Sequence, residues 1–202
     1  MVTPIVNVIK DIKVGSLVDA VGILAKKEVL VGIPAENSSR QTPNTSGDKI
    51  NNAELLYIQS HGVRKAEMRA EMQQHLDAGK KYSEAHSLYI QSHGSPLWHI
   101  PPRPVLEPSI EASKEPIAKQ LQQATVAALD GDSVGVDHAL HRAGFVAENA
   151  AKAWFENPEN GWPPNSPKTI AQKGSDSPLI DTGEMRKAIT HVVREKGSDS
   201  GE

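Results

Sequence analysis

The chain contains no cysteine. That absence excludes disulfides, thiolate nucleophiles, cysteine zinc sites and cysteine-bound iron–sulfur clusters together. Aromatic residues are scarce, with 3 Trp, 3 Tyr and 2 Phe among 202 residues. No apolar run reaches the ~18–20 residues that a membrane-spanning helix needs. The most apolar stretch, residues 1–34, is interrupted by Lys10, Asp11, Lys13, Asp19, Lys26 and Lys27. It also lacks the basic-then-apolar order of a secretory signal, so the sequence reads as a soluble protein made in the cytoplasm. No excess of positive charge exists: the formal net charge is −3, which disfavours a generally basic nucleic-acid binder. Neither GxGxxG nor GxxxxGK[ST] occurs, so there is no Gly-rich phosphate loop, and HExxH is absent as well.

What is present fits a single domain over 1–202 with appendages. Hydrophobic residues make up 38% of the chain, enough for a core, and 14 prolines with 15 glycines promise many turns. Leu17, Ala20, Val21 and Leu24 recur at helical spacing over 16–27. Val29, Leu30, Val31 and Ile33 favour a strand at 28–34, ended by Gly32 and Pro34. Residues 35–52 have almost no apolar content and read as a flexible loop. Ile110, Ile117, Leu121, Ala124 and Ala128 predict a helix over 109–130. Val136, Leu140, Ala143, Ala147, Ala150, Ala151 and Trp154 predict a second long helix over 134–156, with Asp132 or Ser133 as its cap and Gly144 marking close packing. A short helical turn is expected at 166–173 and a last helix at 183–195, with Asp181 and Glu184 spaced as a capping box. The tail, 196–202, reads as disordered.

The heptapeptide LYIQSHG occurs at Leu56–Gly62 and again at Leu88–Gly94, 32 positions later. Two copies fall short of a stacked solenoid, so this is a local duplication. Between them lies a helical insertion, 63–87, whose Ala66, Met68, Ala70, Met72 and Leu76 make a weak stripe suited to an exposed or partner-facing helix. Five prolines then stiffen residues 95–111 into an extended arm.

Little of this carries catalytic chemistry. Asp181–Thr182–Gly183 matches the aspartic-protease tripeptide, where paired carboxylates share a proton. Only 19 residues follow Gly183, and they read as a helix rather than supporting strands. A cap for that helix is the simpler role. His138 and His141 lie three apart and could face one ligand, while His61 and His93 belong to the repeat. None has a recognised metal spacing. Neither an enzyme, a cofactor nor a metal site is expected.

The order of three segments carries a resemblance. VGIP (Val31–Pro34) precedes YIQSHG, then IPPRPVLEPSIE (Ile100–Glu111) and a long helix, then GWPPNSPKTIAQKGSDSPLIDTGEMRKAIT (Gly161–Thr190). The ordered set resembles the virion-morphogenesis, minor tail and tail-completion proteins of the tailed-bacteriophage head–tail neck. The family's aromatic after RP is Val105 here, and the 63–87 insertion stands outside the pattern. Of the two copies, the second is expected to hold the family's position, because IPPRP follows it.

The resemblance implies a structural virion protein of the head–tail connector. It would form a homo-oligomeric ring of six subunits, or alternatively twelve, contacting other neck and tail proteins and lining the passage for genomic DNA without sequence-specific binding. It would reside in the virion neck, and in the host cytoplasm during assembly. The alternative roles are a transient assembly factor absent from the virion, or a DTG-type protease. The expected fold is α+β: a small antiparallel sheet from 28–34, 54–61, 87–93 and 98–106 packed against two long helices, with the proline-rich arm and flexible loops. Candidate interface residues are Arg103, Pro101, Pro102, Pro104, Trp98, Trp162, Tyr89 and His93. On the stiff arm, the Arg103 guanidinium could pair with a carboxylate of a neighbour or of its own chain. Trp162 is either a lid on the core or an interface anchor.

Overall fold

The computed structural model describes residues 14–40, 50–93 and 98–197. Along the chain run α1 (Val14–Ala25), β1 (Lys27–Gly32), α2 (Asn52–His61), β2 (Val63–Arg64), α3 (Ala66–Asp77), α4 (Tyr82–His93), β3 (Trp98–Ile100), α5 (Leu106–Ala112), α6 (Lys114–Leu129), α7 (Ser133–Trp154), α8 (Pro167–Lys173), α9 (Glu184–Ala188) and β4 (Thr190–Glu195). Helices with two small two-stranded sheets make the fold α+β. The chain divides into two compact units: Met1–Val31 with Ser113–Glu148 and His191–Glu202, and Gly32–Ala112 with Asn149–Thr190.

In the first unit β1 pairs with β4. The pair is antiparallel, because Lys196 N, just past the end of β4, donates to Lys26 O at the start of β1. Arg194 Nε reaches Glu28 Oε1 at 2.7 Å across the strands. The core is built from small side chains, namely Ala20, Ala124, Ala128, Val136, Ala139 and Leu140, with Leu24, Val29 and Val193 against it. Alanine stripes let helix backbones approach closely, and α1 packs on α6 in this way. Asp132 caps α7, its Oδ1 accepting from Gly135 N at 2.8 Å.

In the second unit Asn51 starts α2 with a complete capping box. Its side chain accepts from Glu54 N, and Glu54 Oε2 accepts from Asn51 N, both at 2.9 Å. Helices α3 and α4 form a hairpin around Met68, Met72, Ala85 and Tyr89. β2 pairs with β3 antiparallel, Val63 opposite Ile100 and Arg64 opposite Trp98. The Arg64 guanidinium lies 5.5 Å from the Tyr82 ring centre and 5.6 Å from that of Trp98.

Several local expectations need correction. Leu56–His61 and Leu88–His93 are helical, not strands, so the single sheet through 54–61 and 87–93 does not form. Leu-Tyr-Ile favours strands locally, but the capping box of α2 and the helix-forming residues beside α4 outweigh three residues' preference. The helix expected over 109–130 breaks at Ser113. Pro116 explains it: a proline ring clashes with the carbonyl four residues back, here Ala112. The predicted last helix stops at Ala188, and Thr190–Glu195 is strand β4. Its β-branched Thr190, Val192 and Val193 suit a strand, and β1 supplies the partner. The N-cap of α9 is Gly183 at φ 78, so the Asp181–Glu184 capping box is not made. Instead Thr182 Oγ1 accepts from Glu184 N at 3.4 Å. The insertion is not an exposed helix, since α3 buries Met68 and Met72 against α4. Of the loop expected at 35–52, residues 35–40 and 50–52 are ordered. Buried Asn52 donates through Nδ2 to Ser39 O at 2.9 Å. Residues 41–49, and the part of the tail from 198 onward, lie outside the described residues.

Candidate functional site

Of the segments that carry the family resemblance, Ile100–Glu111 and Gly161–Thr190 lie in the second unit, where they are tied to each other and to the first LYIQSHG copy. The arm Pro101–Pro104 is extended because its prolines fix φ and supply no N–H for a helix. Arg103 projects from it and is only 7% exposed. Its Nε and Nη2 both donate to Pro163 O, at 3.0 and 2.9 Å, and Nη2 also reaches Pro164 O at 3.0 Å. The planar fork of the guanidinium spans two successive carbonyls, which a lysine ammonium cannot match. Trp162 returns the connection: its Nε1 donates to Pro104 O at 3.0 Å, and its ring stands edge-on to Phe155 at 5.9 Å. Trp162 is half-buried.

Loop 161–166 is fixed in turn. Buried Asn165 donates to Asp176 O at 2.9 Å, and Ser166 caps α8 by accepting from Thr169 N at 3.2 Å. Lys173 Nζ closes the segment after α8 by donating to Ser177 O at 2.7 Å.

The arm also docks on α2. Arg103 N donates to Gln59 O at 2.7 Å. Gly62, at φ 72, allows this approach, since a Cβ there would sit 2.7 Å from Ile100 O. The first LYIQSHG copy thus holds the arm, although sequence order favours the second. Both copies end in glycine, so the motif itself does not tell them apart.

Beside these ties lies a cleft of about 470 Å³ lined by Arg40, Gln59, His99, Arg103, Lys173 and Asp181 among others. Burial lowers the Lys173 pKa; the neighbouring Asp181 carboxylate opposes that shift, Arg103 adds to it, and Asp176 opposes it. Burial lowers the Arg103 pKa as well. Asp181 is the sole carboxylate among the lining residues, so the cleft itself does not supply the second acid of a protease dyad. No group of three His, Cys, Asp or Glu side chains placed to hold a metal exists among the described residues.

The remaining residues expected at an interface fall into three environments. Tyr89 is 1% exposed inside the α3–α4 hairpin, and Arg103 is internal, so neither presents its side chain outward. His93 stacks on Tyr89 at 4.2 Å and approaches Glu71 at 3.5 Å. Trp98, Pro101 and Pro102 are half-buried, and Pro104 is exposed.

Sequence reasoning missed a cluster in the first unit. His191 Nδ1 meets Glu148 Oε2 at 2.7 Å, and its Nε2 meets His141 Nδ1 at 3.3 Å. His141 thus pairs across to β4 rather than sharing a ligand with His138. Gly144 makes room for it, because a Cβ there would lie 2.3 Å from His191 Cδ2. The carboxylate–imidazole–imidazole row joins α7 to β4.

Comparisons with family models, curated proteins and solved structures return no match.

Proposed function

We propose that this protein is a structural component of the head–tail neck of a tailed bacteriophage, assembling as a homo-oligomeric ring of six subunits, or alternatively twelve. The supporting observation is the joining of segments distant in sequence. The arm of the IPPRP motif is held through Arg103 to the carbonyls of Pro163 and Pro164 in the GWPPNSP motif. Both motifs carry the resemblance, and their mutual hydrogen bonds tie them into one framework. Stiffness suits a closed ring, since a head-to-tail contact closes only when its rotation is fixed. The DNA would slide rather than be gripped, in keeping with a net charge of −3, because phosphate binding requires cationic neutralisation.

Electron microscopy of the purified chain, with light scattering over a range of concentrations, tests the assignment. Rings with an axial opening are expected. A solitary monomer at every concentration overturns the ring and favours an assembly factor that leaves. Tight duplex binding with a steep salt dependence overturns the sliding passage.

A further inference from the structure

The duplicated motif presents the same helix face twice, covered once and open once. Copies α2 and α4 match beyond the heptapeptide, because Ala53 stands 32 positions before Ala85 just as Tyr57 stands before Tyr89. Both tyrosines stack on the histidine one turn later, Tyr57 on His61 at 4.1 Å and Tyr89 on His93 at 4.2 Å. In both, that histidine's Nδ1 contacts the tyrosine carbonyl oxygen, at 2.9 and 3.2 Å. The local surfaces are therefore near-duplicates in shape and chemistry.

Their surroundings differ. On α4 the face formed by Ala85 and Tyr89 is filled by Met68 and Met72 of α3, both essentially buried, while Glu71 beside Met72 reaches His93 Nε2 at 3.5 Å. On α2 the corresponding Ala53, Tyr57 and His61 line an apolar cleft of about 380 Å³, walled opposite by Ile33, Pro104, Val105 and Leu106. Tyr57 is 65% exposed there, against 1% for Tyr89. Leu56 rather than Tyr57 anchors α2 inward, at 5% exposure, and so the tyrosine face is left outward.

We propose that this cleft is a docking site for an amphipathic helix of a partner protein. That helix carries two methionines, or equally long unbranched apolar side chains, four residues apart, with a carboxylate beside the second one to meet His61. The chain itself shows which chemistry covers the face, because α3 does so on the duplicate. Flexible thioethers fill irregular gaps against aromatic rings, and an i, i+4 pair lies along one helix face. The resident α3 cannot serve both faces at once, since its methionines are already buried on α4. The site borders the end of the arm at Pro104 and requires no assumption about the neck.

The test titrates the full-length protein into a fluorescently labelled peptide of residues 64–80. A lactam bridge between positions 70 and 74, both exposed on α3, holds the peptide helical. Saturable binding is expected. It should weaken at least tenfold when the full chain carries Tyr57→Ser or Ala53→Glu, and likewise when the peptide carries Met68→Ser with Met72→Ser. Tyr57→Ser alters an exposed side chain, and far-UV circular dichroism confirms folding of each variant. Absence of binding overturns the proposal. So does binding indifferent to Tyr57 and Ala53, which would mean that the peptide has displaced the resident α3 from Tyr89. Self-association abolished by Tyr57→Ser, without peptide binding, also overturns it and makes a second copy the occupant.

Discussion

Arg103 illustrates how a charged side chain becomes internal without a counter-ion. Its three hydrogen bonds go to the carbonyls of Pro163 and Pro164, two residues that accept but cannot donate. Replacement by lysine keeps the charge and loses the fork, so that at least one of the two carbonyls gives up its hydrogen bond to residue 103. Hydrogen bonds to a charged group contribute roughly 1.5–3 kcal/mol, so Arg103→Lys should destabilise by about that amount in urea denaturation. Unchanged stability would mean that the arm is not secured by this contact. Gly144 makes the opposite point, since here the missing side chain matters. Alanine is the better helix former by about 1 kcal/mol. Its Cβ would nevertheless meet the His191 ring, which Glu148 holds in place at 2.7 Å. Overpacking of this kind costs about 1–3 kcal/mol, so Gly144→Ala is expected to lower Tm despite its propensity. The double variant with His191→Ala should recover part of the loss, a coupling that independent sites do not show.

At the scale of elements, the α3–α4 hairpin is the sharpest case. Burial raises the Tyr89 pKa, and the carboxylates of Glu71 and Glu67 raise it further. Above the ordinary tyrosine value of about 10, the unfolded chain therefore gives up a proton that the folded hairpin keeps. The native state then binds more protons, and stability falls as pH rises through that region. Tyr89→Phe should remove this alkaline loss. Because the Tyr89 hydroxyl has no hydrogen-bond partner among the described residues, the change should not lower Tm at neutral pH. Thermal melts followed by circular dichroism at neutral pH and near pH ~10.5 check both arms. An alkaline loss that persists in Tyr89→Phe assigns it elsewhere. The same hairpin marks what the sequence made legible. Helices α1, α6 and α7 follow from periodicity, because each buries small apolar side chains against its neighbours, whereas the short α8 buries none. The Ala-Glu-Met stretch of α3 is legible as helix, but its partner is not, since nothing in a weak stripe says that Tyr89 will lie on it. Tyrosine and isoleucine in LYIQSHG favour a strand, whereas Asn51 and Glu54 ahead of the first copy are spaced as a helix start. Strand β4 imitates a helix because Met185, Ile189 and Val192 happen to fall at helical spacing. The tie between Arg103 and Pro163 was out of reach, because it joins residues 60 apart through carbonyls that every residue possesses.

Across the whole molecule, each unit is assembled from pieces far apart in the chain. Such units depend on non-local contacts that form late and fail together. The first unit takes its last strand from residues after Thr190, and that strand supplies three separate supports. Val193 packs on the alanine core, Arg194 pairs with Glu28 at 2.7 Å, and His191 holds Glu148 of α7. Ending the chain after Ile189 removes all three and leaves β1 with unpaired N–H and C=O groups, an exposed strand edge prone to association. The second unit retains its hairpin, its arm and the Arg103 contacts, all of which lie before residue 190. Truncation should therefore abolish amide-exchange protection in α1 and α6 while sparing the buried amides of α3 and α4. Hydrogen exchange followed by mass spectrometry reads both regions in one experiment. Equal loss in both would show that the two units unfold as one cooperative body, whereas full protection in α1 and α6 would show that β4 merely decorates a core able to stand without it.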